Sequence, residues 1–183
     1  MALKFGKNID EMCYPFMYEA ASLCDFEIIT DELCGHIGAI ISHLPEDMPD
    51  IATDLEHIQP LAFHINGSIR GRLAVGEADQ AWLQTRLNHY KHEVADRLDG
   101  FVLPRGTPPI PQLHLARSAC KKAIRAMVKV DQEGKEVPML LPRMCNMLCN
   151  FFFVLTLVIN KRRGVVEPEF VSRSYGRELA GNS

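Results

Sequence analysis

Apolar residues recur along this chain at three- and four-residue steps, and clusters of Pro, Gly and acidic residues punctuate them. Thr30-Asp31-Glu32 supplies cap-type residues, after which Leu33, Ile37, Ile40 and Ile41 share one helix face; Pro45 and Pro49 close that run. Asp50 caps the next helix, whose apolar face is Ile51, Leu55, Ile58, Ala62, Ile65 and Ile69; Pro60 inside it predicts a kink. Gly71 and Gly76 mark the exit. From Glu77 a further helix carries Trp82, Leu87, Tyr90, Val94 and Leu98, and Asp99-Gly100 ends it. A Pro/Gly-rich loop from Phe101 leads into a cation-bearing helix, then the polar turn DQEGKEVP, then an apolar helix to about Lys161. Met12, Phe16, Ala20 and Leu23 fit one face of a short N-terminal helix, with Pro15 limiting where it begins. Strand-type alternation is missing. The expectation is all-α: four long helices plus an N-terminal one, a five-helix bundle in a single domain over 1–183. Residues 1–24 form its N-terminal segment, and 164–183 form a tail with a mobile end.

Composition narrows the function class. The chain has 183 residues, 47% of them apolar, enough for a sizeable core and too many for a disordered chain. A net charge of −3 argues against a general nucleic-acid binder, while leaving room for a local basic site. The six cysteines (Cys13, Cys24, Cys34, Cys120, Cys145 and Cys149) form no C-x-x-C pair, and His89 and His92 lack companions for a metal set. They read as reduced, mostly buried thiols of a cytoplasmic protein, and no metal site is expected. The N-terminus lacks a signal-type apolar core. Met144–Ile159 is the one membrane candidate, short of a span and interrupted by Asn146 and Asn150; a central bundle helix accounts for it better, although Lys161–Arg163 after it also fits a tail anchor.

Candidate chemistry gathers in FVLPRGTPPIPQLHLARSACKKAIR, Phe101 to Arg125. Arg117, Lys121 and Arg125 recur every four residues, stacking three cations on one helix face. The stripe is about 12 Å long at about 1.5 Å per residue, near the length of an extended triphosphate. A solvated helix face has the same pattern, so the residues alone leave both readings open.

Three stretches resemble the propanediol-utilisation-type ATP:cob(I)alamin adenosyltransferases. DELCGHIG (Asp31–Gly38) parallels Asp-Glu-Leu-Asn-Ser-x-Ile-Gly; the Phe101–Arg125 stretch parallels Phe-x-Leu-Pro, glycines, then Leu-His-x-Ala-Arg-x-x-x-Arg-Arg-Ala-Glu-Arg. NMLCNFFFVL (Asn146–Leu155) parallels Asn-Arg-Leu-Ser-Asp-x-Leu-Phe-x-Leu. The resemblance covers about residues 25–160. It implies a five-helix bundle assembling as a homotrimer, with active sites between subunits. The implied reaction is attack of cob(I)alamin on the 5′ carbon of ATP, assisted by Mg²⁺, giving adenosylcobalamin and triphosphate. The corrinoid supplies the nucleophile, so the protein's work is positioning and charge stabilisation. By resemblance, Phe101 occupies the corrinoid's lower face, and Arg117 pairs with Asp31 across a subunit boundary beside the nucleotide. Lys121, Lys122 and Arg125 match further phosphate-side arginines, and Asn146 an asparagine near the nucleotide. A reductase or a B12-dependent enzyme is the implied protein partner, with neither nucleic acid nor membrane. On the residues alone, Phe101 also reads as a core loop anchor, Asp31/Arg117 as a structural ion pair, and Asn146 as a buried inter-helix amide.

The departures lie on the ATP side. The family's N-terminal phosphate loop, Thr-Lys-Thr-Gly-Asp-x-Gly-x-Thr, has no counterpart in LKFGKNIDEM, which removes a cradle of N–H groups, hydroxyls and a lysine. Lys121 and Lys122 replace arginines, keeping charge but losing the bidentate fork. Ile124 replaces a glutamate, Met147 an arginine and Asn150 an aspartate. Two classes of function follow: a divergent adenosyltransferase, or a non-catalytic relative that stores or delivers a corrinoid. A third is a structural subunit that keeps only the trimer.

Overall fold

A computed structural model describes residues 8–98 and 100–174. Five helices make up the bundle: α1 (Ser22–Ser42), α2 (Pro49–Ser68), α3 (Glu77–Glu93), α4 (Ile110–Gln132) and α5 (Leu140–Arg162). α1 packs against α2 on one side and α4 on the other; α4 packs on α5, and α5 on α3. One apolar core runs through all five, with Phe26, Phe151, Phe152 and Tyr90 among its largest fully buried side chains.

The expected N-terminal helix does not form. Phe16 and Ala20 are exposed, and among the described residues the segment holds only a 3₁₀ turn, Ile9–Glu11, followed by turns. Leu23 instead belongs to α1, which begins well before the anticipated cap. Its first free N–H groups are served from across the fold: Glu133, just past α4, accepts from Ser22 N (3.0 Å) and Ser22 Oγ (2.6 Å). Thr30, expected at a helix start, is buried mid-helix with its hydroxyl donating back to Phe26 O at 2.8 Å.

α2 runs through Pro60, which is on the exposed side of the helix. α2 and α3 are locked by a buried Asp54: Arg86 Nε donates to both its oxygens (2.9 and 2.8 Å) and the Tyr90 hydroxyl donates at 2.7 Å. A carboxylate this fully paired is tolerable in an apolar interior; stripping one partner leaves a costly buried charge. α5 is long and apolar enough to span a membrane by length and composition, yet most of its apolar window faces the bundle core, as the central-helix reading expects. Among the described cysteines all are free thiols, five buried and Cys13 exposed.

Beyond the helices lies an unanticipated pair of two-residue strands, β1 (Phe101–Val102) and β2 (Glu169–Phe170). They are antiparallel, with Phe101 opposite Phe170. Part of the tail is therefore ordered against the loop that precedes α4. The tail's last residues, and Asp99 of the anticipated α3 terminator, lie outside the described residues.

Candidate functional site

α4 is amphipathic in a way that aims its cations. Leu113, Ala116, Cys120, Ala123, Met127 and Val130 are buried, which turns Arg117, Lys121, Arg125 and Lys129 outward along one line. Lys129 continues the four-residue step by one turn beyond the three cations singled out from the sequence. The same periodicity, carried further, finds it.

Two depressions flank this line. The first, about 460 Å³, lies between α1 and α4: Ile28, Ile29 and Ala126 form its apolar lining, and Lys121, Lys122, Arg125 and Lys129 its cationic one, with Asp25 the single carboxylate. The second, about 260 Å³, is lined by Gly100, Phe101, Val102, Arg117, Lys121, Cys149, Asn150 and Phe153. Lys121 borders both, so an anion in the groove and a planar ligand against Phe101 would meet at this one ammonium.

Phe101 is 68% exposed, which rules out the core-anchor reading. A large ring held on a strand and left uncovered is free to face an apolar ligand. Gly100 before it has φ +94°, a backbone state that side chains resist, and this delivers the chain into β1. Arg117 is held over the Phe153 ring, 5.3 Å from its centroid, a cation–π contact that fixes the guanidinium without neutralising it. Burial pushes the Cys149 thiol up, with Lys121 and Arg117 pulling the other way. Asn150 and Phe153, on the α5 side of this pocket, were not singled out from the sequence as site residues; their spacing from Asn146, one turn and two turns along the same helix, is the signal that reaches them.

The remaining expected residues are spread out. Lys122 pairs with Glu32 of α1 at 3.3 Å, an exposed contact that leaves it on the groove rim. Asn146 is exposed and donates to Pro142 O of its own helix at 2.9 Å, so it is not the buried inter-helix amide; it lines neither depression. Ile124 packs against the core. Asp31 is not beside Arg117 in this chain. It lines a third depression, about 410 Å³, with Cys13, Tyr14, Met17, Glu27, Ile28, Phe63 and Asn66. Within the described residues neither Asp31 nor Arg117 has an ion-pair partner, so the intrachain structural pair does not exist. Ile28 joins this depression to the cationic groove.

That third depression is where the N-terminal segment has gone. Arg70 of the α2–α3 connection fastens it: its guanidinium donates to Glu27 (2.8 and 3.0 Å) and Glu19 (2.9 Å) and lies 3.9 Å from the Phe16 ring centroid. Burial raises the Glu27 carboxyl, but hydrogen bonds from Arg70 and Tyr14 outweigh it and hold the group below the usual carboxylate range. Tyr14, buried against this carboxylate and hydrogen-bonded to it, is pushed up to about 12. Among its described residues, the segment brings no cation to the depression it walls. Among the described residues, no group of three or more His, Cys, Asp or Glu side chains is gathered for a metal.

Comparison with known proteins converges on one family. The family model described as cobalamin adenosyltransferase matches residues 29–159. A cobalamin adenosyltransferase of Cupriavidus metallidurans is 35% identical over 138 residues, covering 73% of this chain and 72% of that one. A corrinoid adenosyltransferase of Bacillus subtilis is 29% identical over 147 residues, covering 76% and 75%. Among solved structures, an alanine-for-phenylalanine variant of the PduO-type ATP:corrinoid adenosyltransferase from Lactobacillus reuteri, complexed with cobalamin and ATP, superposes with a TM-score of 0.71. It is 21% identical, covering 85% of this chain and 90% of that chain. A lysine-for-arginine variant of the same enzyme, complexed with ATP, gives 0.70 at 24% identity, with 85% and 90% covered. Matched by the family model over most of its length and by relatives along three quarters of it, this chain belongs to the cobalamin adenosyltransferase family.

Proposed function

We propose that this protein is an ATP:corrinoid adenosyltransferase that joins the 5′-deoxyadenosyl group of ATP to cob(I)alamin. The observation that carries the reading is the junction at Lys121, where an uncovered aromatic wall meets a groove lined by four cations. The triphosphate lies along Lys121, Arg125 and Lys129, with Lys122 at the rim; Mg²⁺ would come with the nucleotide and help to neutralise its charge. The corrinoid's lower face rests on Phe101. An apolar ring there offers cobalt no axial ligand, which leaves the metal four-coordinate and easier to reduce. A one-electron reductant, supplied by a partner reductase, generates Co(I). Its electron pair forms the Co–C5′ bond while the C5′–O bond breaks and its pair leaves on triphosphate; cobalt ends as Co(III). Arg117 and Lys121 stabilise the charge that develops on the leaving oxygen.

Catalysis is best served by a homotrimer. Asp31 is exposed and Arg117 half-buried, neither has an ion-pair partner among the described residues, and a neighbouring subunit is the source from which each gains its partner. Asp31 then orients the Arg117 guanidinium, and Asn146 lies one turn from the pocket beside the nucleotide. The largely buried, unpaired thiols suit a reducing compartment, so the cytoplasm is the proposed location.

The test is direct. Protein, chemically reduced cobalamin, ATP and Mg²⁺ should yield the adenosylcobalamin spectrum and one inorganic triphosphate per corrinoid. Absence of product alongside a strong four-coordinate Co(II) signal would assign the chain to corrinoid storage or delivery instead.

A further inference from the structure

Phe101 stands on a two-residue strand outside the helical bundle; two ties from the tail meet its loop, and a third meets the turn just before it. The first is the backbone pairing of β1 with β2, extended by Leu103 N donating to Pro168 O at 2.9 Å. The second is Arg163, at the C-terminal cap of α5, whose guanidinium donates to Pro108 O at 2.9 Å and reaches Thr107 Oγ1 at 3.4 Å. The third runs outward from the 3₁₀ turn Ala95–Arg97: Arg97 donates to Val165 O at 2.7 Å and to Glu167 Oε2 at 3.4 Å. Gly164, at φ +68°, turns the chain back from α5 so that these ties can form, a conformation other residues resist.

We infer that the tail segment 163–171 is a clasp, and that Arg163 and Arg97 are positioning residues for Phe101. The inference rests on the corrinoid-facing reading of Phe101 above. Excluding a lower ligand from cobalt is a matter of where one ring sits, and displacements of a fraction of an ångström at such a site degrade its chemistry. A ring that is 68% exposed has few core contacts to hold it, so its position is set by its backbone, and its backbone is set by the clasp. The cationic groove between α1 and α4 includes none of these residues and is expected to be unaffected.

Arg97→Ala, Arg163→Ala and their combination, together with Phe101→Ala as reference, are to be loaded with cob(II)alamin and ATP. The readouts are the four-coordinate fraction by absorbance and electron paramagnetic resonance, and separately kcat and the KM for ATP. The clasp predicts a four-coordinate fraction lowered about threefold or more in the double variant, with kcat falling in parallel and KM for ATP within about twofold of the parent. Arg163→Lys, which still donates to the Pro108 carbonyl, should recover much of the signal. Circular dichroism identifies any variant that has lost its helices, and Arg163→Lys against Arg163→Gln then gives the comparison in a milder background. An unchanged four-coordinate fraction in folded clasp variants, while Phe101→Ala abolishes it, overturns the clasp alone. An unchanged fraction in Phe101→Ala overturns the corrinoid reading of Phe101, and the clasp with it.

Discussion

The two ends of the α4 cation line are built differently. At the Phe101 end, Arg117 is half-buried, held over Phe153, and lines one pocket with a strand that pairs with the tail. At the other end Lys121, Arg125 and Lys129 are exposed, without carboxylate partners among the described residues, above an apolar groove. The first end works by shape: an aromatic wall and an oriented fork. The second works mainly by charge, since two of its three cations are flexible ammonium groups, which attract a polyanion without specifying its geometry. On the proposed reading, with no counterpart to the family's phosphate loop in LKFGKNIDEM, that end would hold ATP by the summed field of several cations.

This contrast orders the expected mutational effects. Arg117→Lys keeps the charge but loses the planar fork and its seat on Phe153, and should lower kcat by about tenfold or more, as removal of an oriented transition-state donor does. A drop in ATP affinity alone, with kcat intact, would move Arg117 to the charge-only end. Lys129→Ala should raise the KM for ATP by only about two- to fivefold, and the difference should shrink as salt is raised toward 0.5 M, because exposed charges are screened. Salt-insensitive loss at Lys129 would mean a fixed, shape-type contact there.

His114, one turn before Arg117, sharpens the contrast on the structured side. It is 8% exposed, and its Nδ1 lacks a partner among the described residues. Burial, with a smaller push from the nearby Arg117 charge, depresses it from 6.5 to about 4. The unfolded chain therefore takes up this proton first. Stability from His114 is complete above about pH 6.5 and is lost as pH falls toward 4. Urea midpoints at pH 7 and pH 5 should diverge in the parent and diverge less in His114→Leu; parallel slopes would show that the ring protonates in place.

Most of the bundle was legible in the sequence because α2 to α5 carry their own periodic apolar faces and Pro/Gly stops. The start of α1 was not, because its cap comes from Glu133, on the far side of a long stretch of chain, and no local pattern encodes that bond. The strand pair escaped for a related reason: two residues are too few for alternation, and the pairing joins the ends of two loops. Family resemblance pointed to Phe101, while periodicity alone could not tell an uncovered ring from a buried one. Asp31 and Arg117 were matched as a pair by resemblance, and in one chain they lie apart, neither with an ion-pair partner among the described residues. Lys129 was within reach of the same four-residue count that found Arg125.

Calorimetric titration of ATP, with Mg²⁺, into the parent, Phe101→Ala and the Lys121→Ala/Arg125→Ala double variant tests the division of labour most directly. The account predicts saturable binding to the parent that weakens with salt, near-parent affinity in Phe101→Ala, and affinity lowered about 30-fold or more in the double variant, roughly 2 kcal/mol at 1.4 kcal/mol per decade. No binding heat from the parent, or equal losses in both variants, would contradict it.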